Sequence, residues 1–273
     1  MSRVIDSLPT PERVKPKKLI VLSRSRVGTL SLYRALKVLG YKPYHTYEIF
    51  TNGTTHMNMY EEALRCKYLG AGKPYGKAEF DKWLADYDAI LAIPQYFVDE
   101  FVEYYPEAKF ILTDRDVDAW VKSMSGTVWS MIKASREFPL SAVRWVDPWV
   151  DAFCQVHFAW EDVMFQGKGL DHGIEEAKCD YIIRQQKAKA QASKVNLLVL
   201  PLEKGIGWEE VCPFLGHDTP DTPYPRTNSV AEFQVLIGNM IQRKSREAAI
   251  KVLTMTLVPA AGIWAVWYYV KRW

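Results

Sequence analysis

Short apolar runs alternate with amphipathic stretches along most of the chain. Four runs are typical of buried parallel strands, which are covered on both faces and carry few polar residues: 18–22, 87–93, 109–113 and 195–200. Between the first two runs, leucines at helical spacing predict a helix that Gly40 ends: Leu32, Leu36 and Leu39. Strands that alternate with helices predict an α/β fold, a three-layer sandwich around a parallel sheet.

Helical patterns also follow the second and third runs. We expect helices over 97–105, from about Val117, over 153–193 with a break around 167–173, and over 208–215. These elements predict one domain over 19–236, followed by a basic linker helix over 237–251. Residues 1–18 are basic and carry three prolines, so we expect a flexible segment before the domain.

The region 252–270 contains no charged side chain and is bounded by Lys251 and Lys271. A helix of this length spans about 28 Å, roughly the hydrocarbon thickness of a bilayer. We therefore expect a transmembrane tail anchor, and a buried core helix or an interfacial hairpin is the alternative. More basic residues precede the region than follow it, which predicts a domain facing the cytosol, with the endoplasmic reticulum as the expected membrane.

Composition excludes some classes of function. The chain of 273 residues is 48% hydrophobic, enough for a large core, and its net charge of only +3 gives no support to a nucleic-acid partner. The four cysteines are widely scattered, so neither a zinc site nor a disulfide framework is expected. We expect a reducing compartment and no metal, and the sequence leaves the oligomeric state open.

The loop SRSRVGT, residues 23–29, joins the first predicted strand to the first predicted helix. A helix N-terminus offers unpaired amides and the positive end of the helix dipole, which together suit an anion. The loop adds groups suited to phosphate oxygens: Ser23, Ser25, Arg26, Gly28 and Thr29. It departs from the loop of nucleoside triphosphatases, because Thr29 replaces the lysine and Leu30 the magnesium-binding hydroxyl.

This loop resembles the 5′-phosphosulfate-binding loop of sulfotransferases. SRSRVGTLSL is similar to the PRTGTxSL-type loop of the fungal sulfotransferase-like family with a P-loop fold. Further segments resemble that family in the same order: 45–48, 80–94, 110–124, 207–216 and 223–228. The resemblance covers roughly residues 19 to 235.

Sulfotransferases use 3′-phosphoadenosine 5′-phosphosulfate as the sulfate donor and need no metal. The resemblance implies that the donor is bound by Ser25, Arg26, Gly28, Thr29, Leu30, Arg115 and Ser123. The last two would hold the 3′-phosphate, and the loop would hold the 5′-phosphate largely through backbone amides. Arg26 would stabilise the leaving group electrostatically, since a guanidinium group cannot act as an acid. The structural alternative for Arg115 is a salt bridge to Asp114, Asp116 or Asp118.

The catalytic base departs from the family pattern. Cytosolic sulfotransferases carry a histidine near the end of the second strand, and the fungal branch often carries an aspartate there. Alignment on Pro94 places Ala92 at that position, and a methyl group cannot accept a proton. His45 is therefore the candidate base, with Glu48 close enough in sequence to orient it, and a purely structural histidine is the alternative.

Three functions fit this sequence. The first is sulfate transfer to a hydroxyl of a hydrophobic small molecule of the secondary-metabolite type. The second is the same fold used for dehydration, cyclisation or isomerisation without net sulfate transfer, which the alanine at position 92 suggests. The third is a non-catalytic, membrane-tethered binding protein.

Overall fold

The computed structural model describes residues 3–192, 196–226 and 230–272. Its strands form one parallel sheet: β1 (Leu19–Val21), β2 (Pro43–Tyr44), β3 (Ala89–Ile90), β4 (Lys109–Asp114) and β5 (Leu197–Pro201). Their order across the sheet is β2-β3-β1-β4-β5, and Ile20 of the central strand pairs with both Ile90 and Phe110. The parallel sheet confirms the predicted α/β class.

Helices connect and cover these strands. In the first half of the chain they are α1 (Thr29–Val38), α2 (Thr46–Thr51), α3 (Thr54–Tyr68), α4 (Lys77–Trp83) and α5 (Val98–Tyr104). In the second half they are α6 (Val117–Ser125), α7 (Val128–Arg136), α8 (Leu140–Val143), α9 (Pro148–Phe165), α10 (Ile174–Ala192), α11 (Trp208–Leu215) and α12 (Val230–Val270). The predicted break near 167–173 is the connection between α9 and α10.

Alternate residues of the sheet face two separate cores. Ile20 and Phe110 point into a large core shared with α3, α7 and α9, whereas Leu19 and Ile111 point into a smaller core under α1 and α11. Because side chains of a strand alternate between its faces, a sheet covered on both sides needs apolar residues at every position. This explains why the strands appear in the sequence as unbroken apolar runs.

The first residues of the described chain pack against the domain, which differs from the flexible segment expected there. A 3₁₀ turn at Val4–Ser7 buries Ile5, and the backbone amides of Val4 and Ile5 donate to the carboxylate of Glu62 on α3. Further along, the buried ammonium group of Lys17 donates to three backbone carbonyls. The prolines exclude regular structure here, but they do not prevent contact with the domain.

The strand order creates a crevice above the carboxyl end of β1. After β1 the chain moves to β2 and β3 on one side of it, and then to β4 and β5 on the other. Loops that leave neighbouring strands in opposite directions open a crevice at this edge, where α/β proteins bind their ligands. The loop 22–28 lies on one side of this point, and Arg115 follows β4 on the other.

The last helix extends from the domain. α12 runs from Val230 to Val270, so the predicted linker and the predicted span belong to one continuous helix. Among residues 3–192, 196–226 and 230–272, no helix is long and apolar enough to cross a membrane. Part of the predicted anchor lies outside the side chains that the structure describes, namely those of 255–261, 263, 265 and 269.

Candidate functional site

The loop between β1 and α1 is held rigidly from three directions. The backbone amide of Thr113 donates to Ser23 Oγ at 2.7 Å, and the indole of Trp120 donates to the carbonyl of Ser25 at 3.0 Å. The amide of Ser25 donates to the buried side chain of Gln95 at 3.1 Å. The loop is therefore shaped by β4, α6 and the segment after β3 together.

Gly28 ends the loop as the N-terminal cap of α1. Its φ of +85° lies in the left-handed region, and a Cβ atom added there would approach Leu202 Cδ1 to 3.0 Å. The next helix has 10 residues, so its free N-terminal amides and its dipole point towards the crevice. Thr29 and Leu30 occupy the first turn of this helix, as the loop interpretation requires.

Arg26, Arg115 and Ser123 meet beside this loop. Arg26 Nε donates to Ser123 Oγ at 3.3 Å, and Arg115 Nη1 donates to the backbone carbonyl of Arg26 at 2.7 Å. Arg26 is buried and has a left-handed φ of +68°, a conformation that is uncommon for an arginine. Burial, and then the charge of Arg115, lower the pKa of Arg26 to about 10. Three of the seven predicted donor ligands thus lie together, and the two arginines among them carry positive charge.

The carboxylates near Arg115 have other partners. Asp114 pairs with Lys189 at 2.7 Å, Asp118 lies 3.5 Å from Lys178, and Asp116 caps α6. The backbone of Arg115 is fixed by Tyr181, whose hydroxyl donates to the Arg115 carbonyl at 2.9 Å. Within the described part of the chain, Arg115 forms none of the salt bridges considered as its structural alternative.

His45 and Glu48 form the N-terminal cap of α2. The backbone amide of His45 donates to Glu48 Oε2 at 2.9 Å, and the backbone amide of Tyr47 donates to His45 Nδ1 at 3.2 Å. Since Nδ1 accepts, the neutral ring carries its proton on Nε2, which donates to Thr29 Oγ1 at 3.2 Å. Burial and the charge of Arg26 lower the pKa of His45 to about 3. His45 touches the loop of residues 23–29, which we call the donor loop after the sulfate donor that the sequence predicts for it, but both nitrogens of His45 are engaged.

Glu48 is tied to a tyrosine rather than to the imidazole ring of His45. Its Oε1 accepts the hydroxyl of Tyr33 from α1, and Lys37 donates to that same hydroxyl at 3.1 Å. Burial raises the pKa of Glu48. Its contact with His45 goes through the backbone amide, which orients the first turn of α2.

Ala92, at the position where the resemblance predicted a catalytic base, is almost fully buried after β3. Its φ of +69° is left-handed, and Gln95 donates to its carbonyl. The same Gln95 side chain accepts from the Ser25 amide, so it ties the segment after β3 to the donor loop. This role of Gln95 was not predictable from the sequence, because a glutamine that follows a turn at Pro94 carries no recognisable pattern.

A cavity of about 70 Å³, open to solvent at its mouth, begins at the donor loop and continues between α2, α7, α9 and α12. Its loop end is lined by Ser25, Arg26, Thr29 and His45. Its far wall is aromatic, with Phe50, Phe153, His157 and Trp160, and Ile237 and Met240 of α12 close it from outside. An apolar cavity with a few polar groups at one end is typical of a site for a hydrophobic ligand.

His157 on α9 is the titratable group of the aromatic wall. Its Nδ1 lies 2.7 Å from the carbonyl of Phe153, so this nitrogen carries the proton and donates. The ring stacks on Phe50 with an interplanar angle of 9°, and burial lowers its pKa to about 4. His157 was not predictable as a site residue, because the sequence of an apolar helix does not show which cavity a single histidine lines.

No group of three or more His, Cys, Asp or Glu that could hold a metal ion occurs within residues 3–192, 196–226 and 230–272. The cysteines of these residues are free thiols, and three of them are buried. The polar groups at the crevice are guanidinium, hydroxyl and amide groups, which bind oxyanions. This arrangement can hold a phosphorylated ligand next to a hydrophobic one.

Most of this chain is similar in sequence to known proteins. Residues 18–233 match a family model described as a sulfotransferase domain. The chain is also 35% identical over 220 residues to a protein of Aspergillus versicolor named Ava biosynthesis cluster protein M, and the match covers 76% of this chain and 79% of that protein. The donor loop, Arg115, Ser123 and the aromatic wall all lie within the residues that match the family model.

Proposed function

The chain belongs to the sulfotransferase domain family, and from this premise we propose that it transfers the sulfuryl group of 3′-phosphoadenosine 5′-phosphosulfate to a hydroxyl of a hydrophobic small molecule. The observation that carries the proposal is the cluster of Arg26, Arg115 and Ser123, which opens on an aromatic cavity. The cluster suits a phosphorylated donor, and the cavity suits an apolar acceptor.

The charge of the cluster supports a doubly phosphorylated donor. Two guanidinium groups close together repel each other, and the lowered pKa of Arg26 reports this repulsion together with burial. An anion between them would relieve the repulsion and gain charge-assisted hydrogen bonds. In this proposal Arg115 and Ser123 hold the 3′-phosphate, and the amides of Gly28, Thr29 and Leu30 hold the 5′-phosphate.

Arg26 then stabilises the transition state. Sulfuryl transfer moves negative charge onto the oxygen that bridges sulfur and phosphorus, and fixed positive charge in a water-poor site lowers that barrier. Arg26 is buried, and its Nε is oriented by Ser123, so it needs little reorganisation during the reaction. The bound donor would supply the sulfuryl group, and this chain's residues would orient it.

The acceptor is proposed from the cavity and from the relative. Aromatic and aliphatic side chains line most of the cavity, which favours an apolar or aromatic alcohol. The relative from Aspergillus versicolor is named for a biosynthesis cluster. A small hydrophobic molecule of secondary metabolism is consistent with both observations.

Calorimetric titration of the full-length chain with 3′-phosphoadenosine 5′-phosphate tests the donor site. Arg115→Ala should weaken binding by about 10- to 100-fold, since a hydrogen bond between charged groups contributes about 1.5–3 kcal/mol. Arg115→Gln keeps a donor for the Arg26 carbonyl but removes the charge, so it should lose affinity while the loop keeps its shape. Arg13→Ala, at an exposed arginine, is the matched control. A folded wild-type chain that does not bind the nucleotide would refute the proposal.

Attachment to a membrane through 252–270 is part of the same proposal, with the domain on the cytosolic side of the endoplasmic reticulum. Several described apolar side chains of this part of α12 are exposed, including Leu253, Trp264 and Val266. Basic residues precede them at Arg243, Lys244 and Lys251. A bilayer would remove the exposed apolar surface from water.

A second function is favoured by one observation. Ala92 leaves the usual base position without a titratable group, as expected for a fold used without net sulfate transfer. Incubation of the purified chain with ³⁵S-labelled donor and 2-naphthol separates the two. A labelled naphthyl sulfate supports sulfate transfer, and its absence in a chain that binds the nucleotide supports the alternative.

A further inference from the structure

The proposed reaction needs a group that accepts the proton of the acceptor hydroxyl. Ala92 cannot do this, and the ring nitrogens of His45 are both engaged, one by the amide of Tyr47 and one by the hydroxyl of Thr29. A base at this site must reach the acceptor from the cavity, and its nitrogen must be unprotonated before the reaction.

His157 meets both conditions. Because Nδ1 donates to the Phe153 carbonyl at 2.7 Å, the neutral ring presents an unprotonated Nε2, and no described residue forms a hydrogen bond with that atom. The side chain is 2% exposed, yet it lines the cavity that also contains Arg26. The backbone carbonyl fixes the tautomer in the way that an orienting group does for a catalytic histidine.

The surrounding rings hold His157 in one orientation. It stacks on Phe50, lies 4.2 Å from Phe153 between ring centroids, and meets Trp160 edge to face at 5.1 Å. Phe50, Phe153 and Trp160 line the cavity as well, so an aromatic or aliphatic acceptor packed against them would lie beside His157. The hydroxyl group of that acceptor would then face His157 Nε2 and the donor loop.

We propose that His157 is the catalytic base of this protein and takes the place of the missing group at position 92. This inference rests on the proposed function. The acceptor oxygen forms a bond to sulfur while its proton moves to His157 Nε2. The bond between sulfur and the bridging phosphate oxygen breaks, and its electron pair stays on 3′-phosphoadenosine 5′-phosphate. The imidazolium ion then loses its proton to solvent, so the sequence of steps balances.

The low basicity of the buried ring is compatible with this role. Burial keeps His157 neutral, with a pKa of about 4, before the ligands arrive. The bound donor carries several negative charges, and nearby negative charge favours the protonated form of a histidine. The imidazolium ion is thus stabilised when the donor occupies the site, which is when the proton is transferred.

The test compares matched variants of the full-length chain. His157→Phe keeps the aromatic packing and removes Nε2, whereas His45→Gln removes the other candidate. The readouts are transfer from ³⁵S-labelled donor to 2-naphthol, nucleotide affinity by calorimetry, and recovery of the His157→Gly rate by added imidazole. We expect His157→Phe to lower kcat by about 100-fold or more, with nucleotide affinity unchanged and KM changed little. Added imidazole should restore part of the His157→Gly rate.

The outcomes separate this inference from the function on which it rests. A wild-type chain that binds the nucleotide but sulfates no 2-naphthol refutes both. Transfer by the wild type with an undiminished kcat in His157→Phe overturns the inference alone. Loss of rate in His45→Gln, with His157→Phe active, would assign the base to His45. A purely structural role for His157 predicts lower stability without rescue by imidazole.

Discussion

At the scale of single residues, the lowered pKa values of three histidines make the stability of the fold depend on pH. His45, His56 and His157 have pKa values lowered by burial to about 3, 4 and 4, so each is neutral in the folded chain at neutral pH. In the unfolded chain each would titrate near 6.5. Below that pH the unfolded state binds protons that the folded state excludes. The stability contributed by each histidine is therefore complete above pH 6.5 and is lost as the pH falls towards 4.

We expect the free energy of unfolding to fall by about 1 kcal/mol between pH 7 and pH 5.5 for the buried His157, and by up to that amount for the partly exposed His45 and His56. His157→Phe removes one of the three groups. It should therefore reduce the part of this pH dependence that the histidines cause by about one third or more. Urea denaturation at the two pH values measures it. His172→Phe, at an exposed ring, should keep the wild-type dependence. An equal loss of stability in wild type and His157→Phe would contradict the assigned burial effect.

At the scale of elements, the N-terminal turn contributes a core residue that no hydrophobic pattern predicts. Ile5 is 1% exposed and belongs to the main core, although it lies in a segment without a helical or strand pattern. Ile5→Ala should destabilise the chain by about 2–5 kcal/mol, because it removes buried methyl groups and leaves a cavity. Val38→Ala, at a half-exposed site, should change stability by less than about 0.5 kcal/mol. Thermal and urea unfolding of both variants check this, and equal small effects would show that the turn does not pack as described.

Helix α12 supplies part of the cavity proposed for the acceptor, through Ile237 and Met240. Met240→Trp should fill the mouth, raise KM for 2-naphthol by about 10-fold or more, and leave nucleotide affinity unchanged, since the donor loop lies at the other end. Val235→Trp, on an exposed face of the same helix, is the control and should not change KM. Steady-state kinetics and calorimetry separate the two effects, and a parallel loss of nucleotide affinity would mean that α12 acts on the whole domain.

Local elements were predictable where local chemistry determines them. Four of the five strands and the loop at 23–29 follow from apolar runs and from a helix N-terminus, and the structure has them close to the expected places. The short strand β2 was not predicted, because two residues do not form an apolar run. His157 was not predictable, because its meaning depends on Phe50, which lies more than a hundred residues away in sequence and packs on it only in the fold. The contact of Val4 and Ile5 with Glu62 is likewise set by tertiary packing.

On the scale of the whole molecule, α12 connects the cavity to the proposed membrane attachment. Its first part lines the cavity proposed for the acceptor at Ile237 and Met240. Lys251 pairs with Asp147 at 3.2 Å, just before the uncharged region begins. The domain is thus fixed to the helix at the point where the proposed span starts. In this arrangement a hydrophobic acceptor dissolved in the bilayer would have a short path to the cavity.

The prediction at this scale concerns flotation with lipid vesicles. If the proposed attachment is right, the full-length chain should float with phosphatidylcholine vesicles and resist extraction by alkaline carbonate, because the hydrocarbon core would hold the uncharged region 252–270. A variant that ends after Lys251 should stay at the bottom of the gradient and keep its nucleotide affinity. Extraction of the full-length chain by carbonate would instead indicate an interfacial helix, and failure to float would refute the attachment while leaving the donor site intact. Because the two measurements use the same preparations, loss of the anchor can be told from loss of the fold.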